Sequence, residues 1–181
     1  EWIVSITVLG AAVGALSSGR ITDNLGRKKV LIITALIFAI GSAGLAASNS
    51  VAALIIWRGI IGIAIGVASY TVPLYISEIS PTHVRGALVS INQLAITVGI
   101  FVSYLVDLGF ADFDEGWRWM FLVGLVPSLI LFIGMFFLPE TPRWLMNYKT
   151  EDEAKRVLDK VGEPKRDEVL SQIKTNIEKE K

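Results

Sequence analysis

The sequence predicts an all-α membrane protein, a bundle of five hydrophobic helices followed by short amphipathic ones. Three observations carry this. The apolar residues, 52% of the 181, come in blocks instead of being interleaved with polar ones, and the mean hydropathy is +0.57. Residues 30–47 and 119–138 hold no charge at all. A run of about 18 such residues, rising about 1.5 Å each as a helix, is long enough to cross a hydrocarbon core of about 30 Å. Lys and Arg, finally, fall on one side of the spans once these are threaded back and forth.

The five segments lie at 2–18, 30–48, 51–76, 87–107 and 119–138. The first carries Gly10 and Gly14, and the third Gly62 and Gly66. Small residues four apart let helix backbones approach closely in lipid, where no hydrophobic force drives helices together. Pro73 in the third span and Pro127 in the fifth should bend or break their helices. The 19–29 loop, the 77–86 loop and the segment from Pro139 onward hold 15 of the 17 Lys and Arg residues. The opposite connections, 48–50 and 107–118, hold four acids and Arg118 alone. The basic side is therefore the cytoplasmic one.

Residues 1–138 thus read as the membrane part and 139–181 as a cytoplasmic amphipathic segment. Thr150 with Glu153 three residues later forms a capping box, and Ala154, Val157, Leu158 and Val161 follow at helical spacing. "GEP" at 162–164 interrupts the pattern before Val169, Leu170, Ile173 and Ile177 line a second helix. Ten acids and ten bases leave the tail neutral. It lies against the cytoplasmic face or forms a solvated linker.

Other classes are disfavoured. A net charge of zero gives no attraction to nucleic acid, and the absence of cysteine removes disulfides and thiolate metal sites. The one histidine, His83, sits in a turn with no nucleophile to serve, so enzyme chemistry and cofactors are not expected. The chain opens at Glu1, one residue before an apolar span, and reads as part of something longer.

"GRITDNLGRKK" at 19–29 places five charges in eleven positions between two spans. Arg27, Lys28 and Lys29 are explained as a positive-inside anchor. Asp23 is not, nor are Gly19 and Gly26, whose freedom of conformation suits a turn beside neighbouring helices. Asp23 stands four residues before Arg27, the spacing of a local ion pair, which leaves Arg20 to reach another segment. Glu78 and Arg85 flank the turn around Pro81, and Glu140 and Arg143 leave the membrane at the same depth. Three segments deliver acids and bases to one layer.

These stretches carry a family resemblance. G-R-x-x-D-x-x-G-R-[KR] at 19–28, R-G-x-x-G at 58–62, P-x-Y-x-S-E-x-x-P at 73–81, Arg85-Gly86, Gln93-Leu94, "GWRWM" at 116–120 and P-E-[ST]-P-R-[WY]-L at 139–145 follow in order between spans. The chain resembles the sugar porter family of the major facilitator superfamily across all five spans and the start of the tail. The resemblance implies a partial major facilitator-type helical bundle: helices two to six of the amino-terminal half, without the first helix and the carboxy-terminal half. It also implies transport of a monosaccharide by alternating access, with protons as the coupling ion in symporting members. Gly19, Arg20, Asp23, Gly26, Arg27, Glu78, Arg85, Glu140 and Arg143 then match a cytoplasmic gate.

Two polar residues lie inside spans. On one helical face Gln93 is followed by Ile96, Thr97, Ile100 and Tyr104. An amide beside an apolar stripe suits a sugar, whereas an interhelical hydrogen bond explains the amide equally well. The resemblance favours the sugar, since the family's sugar-binding glutamine matches Gln93. Arg58 lies about 10 Å into the third span, facing the bundle interior or snorkelling past Trp57. In proton-coupled members the matching arginine pairs with an acid on the first helix. Expected partners are thus a monosaccharide, protons, the bilayer and the absent half. The alternatives are a carrier of another polar solute, such as a polyol or organic ion, or a sugar sensor. Short external loops without N-x-[ST] lean toward a bacterial inner membrane over a eukaryotic plasma membrane.

Overall fold

The computed structural model describes residues 2–180. Its elements are α1 (Trp2–Leu25), α2 (Arg27–Ala46), α3 (Val51–Ile79), α4 (Arg85–Phe110), α5 (Gly116–Val123), α6 (Leu125–Phe137), α7 (Pro142–Tyr148), α8 (Glu151–Val161) and α9 (Arg166–Glu180). Five stretches are long and apolar enough to cross a membrane, the last running through α5 and α6 as Gly116–Phe137.

The glycine spacing is realised as direct backbone contact between α1 and α3. A methyl group at Gly10 would stand 2.6 Å from the Gly59 carbonyl oxygen. One at Gly14 would strike the carbonyl of Ile63, at Gly62 that of Thr7, and at Gly66 that of Ala11. α2 lies against α3 and α6 and buries Val30, Leu31, Thr34, Ala35 and Ala39. Gly41 receives the Ile61 side chain and Gly44 the Trp57 ring. α4 is the outlier: it touches chiefly α3 and α5, and none of its residues is buried.

At one end of the bundle Arg118 ties α5 to the end of α2, donating to the Ala46 carbonyl (2.5 Å) and the Asn49 side chain (2.8 Å). At the other end α7, α8 and α9 gather around Trp144, Leu145, Ala154, Leu158 and Leu170. Thr150 caps α8, accepting from the Glu153 N–H at 3.4 Å, and Gly162 (φ 73) ends it with its N–H turned back to the last carbonyls.

Two expectations change and a third is met. The 19–29 segment is not a loop: α1 runs on to Leu25 and α2 begins at Arg27, with Gly26 alone between them. Gly19 is therefore an interior residue of α1, and an added methyl there would meet only the Tyr70 hydroxyl, at 3.8 Å. α3 continues through Pro73 to Ile79 without a break. The last span is interrupted at Gly124, one turn before Pro127, as expected of a proline that has no N–H for the Val123 carbonyl, where α5 ends.

Candidate functional site

The end of the bundle that meets α7–α9 is where the charged residues gather. Because only Gly26 separates α1 from α2, the Arg27 side chain is held between Asp23 on the last turn of α1 and Glu78 on α3. Arg27 is 6% exposed. Its Nη2 lies 3.0 Å from Asp23 Oδ1 and donates to Glu78 Oε1 at 3.3 Å, while Nε lies 3.0 Å from Glu78 Oε2. Nη1 donates to the Thr22 carbonyl at 3.3 Å. Glu78, its side chain 8% exposed, also has Arg143 Nε at 4.0 Å. A buried carboxylate flanked by two guanidinium groups offsets much of its own desolvation; removing either partner would leave a buried charge uncompensated.

Glu140 plays a different part from the one its charge suggests. Both of its oxygens accept the backbone N–H of Lys28 at 3.1 Å, and Oε1 accepts the N–H of Thr141 at 2.9 Å. Gly26, the residue before α2, has no side chain to cap the helix. Glu140 supplies the missing anion from the far end of the membrane part, where it meets the positive end of the α2 dipole. Burial pushes its carboxyl above the usual range, against the pull of these N–H groups and of Arg27. Gly26 has φ 93, and a methyl group on it would overlap the Glu140 carboxylate. The two residues thus require each other.

Asp23, Gly26, Arg27, Glu78, Glu140 and Arg143 therefore come together as expected. Arg85 lies beside them, lining a groove of about 270 Å³ with Glu78 and Arg143, but its Nη2 reaches only the Ser80 carbonyl, at 3.4 Å. Gly19 takes no part, and Arg20 is exposed and forms no ion pair among the described residues. Two contributors escaped the sequence reading. Tyr75 donates its hydroxyl to the Pro139 carbonyl at 2.6 Å, and Trp144 donates Nε1 to the Asp23 carbonyl at 2.9 Å. Both lie inside quoted motifs, so the signal was present without a role attached.

On α4, Gln93, Ile96, Thr97, Ile100 and Tyr104 are all exposed. Gln93 and Ile96 line an open cleft of about 470 Å³ with Asn92 and with Ser69, Val72 and Pro73 of α3. Thr97 and Ile100 lie outside its lining; the Thr97 hydroxyl donates to the Gln93 carbonyl at 3.2 Å. The Gln93 amide makes no hydrogen bond to a neighbouring helix among the described residues. Arg58 faces inward, its guanidinium 5.0 Å over the Phe121 ring and its Nε buried without a hydrogen-bond partner.

Comparison with known proteins sets this geometry in context. The family described as "Sugar (and other) transporter" matches residues 1–181. The chain is 51% identical over 156 residues to the glucose transporter GlcP of Staphylococcus epidermidis, covering 86% of the chain and 35% of the relative. It is 46% identical over 182 residues to the galactose-proton symporter of Escherichia coli, covering 98% and 39%. The structure superposes on that of the proton:xylose symporter XylE bound to 6-bromo-6-deoxy-D-glucose with a TM-score of 0.90 and 30% identity. That alignment covers 98% of this chain and 43% of the symporter. The chain thus spans less than half the length of the proteins it matches.

Proposed function

Because the chain belongs to the sugar (and other) transporter family, a family of multi-pass membrane proteins, we propose that it forms most of the amino-terminal half of a monosaccharide transporter coupled to protons. The observation that carries this reading is the fit of nearly the whole chain, tail included, to one part of a proton:xylose symporter. Residues 1–138 are the membrane bundle, and 139–181 pack at its cytoplasmic end. Of the two membranes weighed, a bacterial inner membrane is preferred over a eukaryotic plasma membrane, in keeping with the relative from Escherichia coli.

In this reading Gln93, with Ile96, Thr97 and Ile100, faces the sugar pathway from α4. Its exposure fits the role, since the surface lining a pathway between two halves is open when one half is viewed alone. Arg58 is the coupling cation. A charge within a bilayer is held only by partners facing the bundle interior or a cavity, and here the Phe121 ring supplies one such contact. The charged layer serves as the cytoplasmic gate in this reading, with its labour divided. Arg27, Asp23, Glu78 and Glu140 bind one another and keep this half rigid. Arg20 and Arg85, less engaged, are placed to meet the opposing half. Alternating access needs such a division: rigid bundles that rock about a fixed site.

Uptake of labelled D-glucose, D-galactose and D-xylose by the full-length protein in liposomes, with and without an inward proton gradient, tests the proposal. Gradient-driven accumulation is expected. Equilibration indifferent to the gradient would remove the coupling role of Arg58, and no movement of any sugar would remove the sugar assignment altogether.

A further inference from the structure

One buried carboxylate stands outside the gate and outside the sugar pathway. Glu163, 7% exposed, sits in the α8–α9 turn immediately after Gly162. The left-handed conformation of Gly162 turns the chain there, and the Glu163 N–H bonds the Leu158 carbonyl at 3.0 Å. Its side chain reaches residue 82, in the turn between α3 and α4. Oε2 accepts the Thr82 N–H at 2.8 Å, and Oε1 accepts the Thr82 hydroxyl and the Lys165 N–H, each at 3.1 Å. Both oxygens are engaged. A buried carboxylate with three donors is a strong tie, since hydrogen bonds to an ionised acceptor are roughly twice as strong as neutral ones.

What it ties is the turn that leads into α4. α4 begins at Arg85, three residues after Thr82, and buries none of its residues. Among the described residues, the two hydrogen bonds from Thr82 to Glu163 are the only side-chain hydrogen bonds joining the 81–110 stretch to a distant part of the chain. Glu163 in turn is fixed to the apolar cluster of α7–α9 through the end of α8, where Leu158 is buried. A continuous path therefore runs from that cluster to the start of the helix that carries Gln93.

We propose that Glu163 is a positioning residue that latches the cytoplasmic start of α4 to the α8–α9 turn and thereby sets where Gln93 stands in the sugar pathway. The proposal rests on the reading of α4 as the sugar-bearing helix. The latch holds the lower end of α4 while the cleft beside α3 admits the sugar. Movement of the tail during the transport cycle then moves α4 with it.

The test uses the full-length transporter in liposomes, with Glu163→Gln, Glu163→Ala, Thr82→Val and, as a reference, Gln93→Ala. Kinetics are read with labelled D-glucose, D-galactose and D-xylose. Spin labels on cysteines placed at Gly86 and Ser171 report the distance across the latch; Gly86 has open space around it and Ser171 is exposed. Glu163→Ala should raise KM about five- to tenfold, the scale of one net intramolecular hydrogen bond, and broaden the distance distribution. Glu163→Gln, which keeps one oxygen acceptor, and Thr82→Val, which keeps the backbone donor, should give smaller shifts in the same direction. A lower melting temperature with native KM and unchanged distances would overturn the proposal, leaving Glu163 as a prop for the tail. If Gln93→Ala abolishes binding while both Glu163 variants keep native KM, the latch fails and the sugar site stands. If Gln93→Ala itself keeps native KM, the sugar-site reading fails, and the functional half of the latch with it.

Discussion

Gly26 and Glu140 show how two residues 114 positions apart become one feature. The positive φ of Gly26 lets α2 start abruptly after α1, and the space left by its missing side chain is the space the Glu140 carboxylate occupies. Gly26→Ala should therefore cost about 1–3 kcal/mol through left-handed strain and through displacement of the cap. Gly19→Ala, in the same motif, should be neutral or stabilising by up to about 1 kcal/mol, because alanine favours a helix interior and nothing crowds the site. Thermal unfolding of both variants in detergent checks the contrast, and equal melting temperatures would refute it. From the sequence the two glycines looked alike. Only the fold distinguishes them, because the reason for Gly26 arrives from another segment.

At the scale of elements the α1–α3 seam admits no side chain. Gly66→Ala should lower the melting temperature and the folded yield, by about 1–3 kcal/mol of overpacking, although alanine is the better helix former. If the variant unfolds at the temperature of the parent chain, the backbone contact is not what holds the seam. Spans, seam and tail helices were legible in the sequence because each rests on a local pattern: apolar length, four-residue glycine spacing, Thr150 before Glu153. The ends of helices were not. α1 continues through Asp23, whose polarity reads as loop, because Arg27 and Trp144 satisfy that turn from outside it. The interruption of the last span at Gly124, by contrast, follows from Pro127 one turn later, and it sits close against Ser42 and Phe38 of α2. The charged residues were legible as a layer and Asp23–Arg27 as a pair, but the reach of Arg27 to Glu78 was not. Glu140 looks like a partner for a guanidinium and instead caps a helix.

Considered whole, the molecule joins a bundle built for lipid to a small helical cluster built for water, and the joints between them are polar: Glu140, Tyr75, Trp144 and Glu163. Their response to acid should differ. For Glu163, burial pushes the carboxyl up, but the N–H groups of Thr82 and Lys165, the Thr82 hydroxyl and nearby His83 outweigh it and hold the carboxyl below the usual range. A carboxyl lowered in the folded state contributes stability above its unfolded value, about 4.3, and loses it only as pH falls through the lower folded value. The Thr82 amide should thus stay protected from hydrogen exchange between about pH 7 and pH 5, after correction for the intrinsic rate, and open only below the ordinary carboxylate range. Glu163→Gln should abolish that dependence. An amide that loses protection by pH 6 would show that another group controls the joint.

The cap on α2 also has a history. The carboxylate partner of Lys28 lies 112 residues later, beyond the described stretches from α2 to α6. While the chain is still being synthesised, every span can enter the bilayer before Glu140 exists to meet the α2 N–H group. Within this bundle, therefore, the packed interior forms before the joint at its charged end.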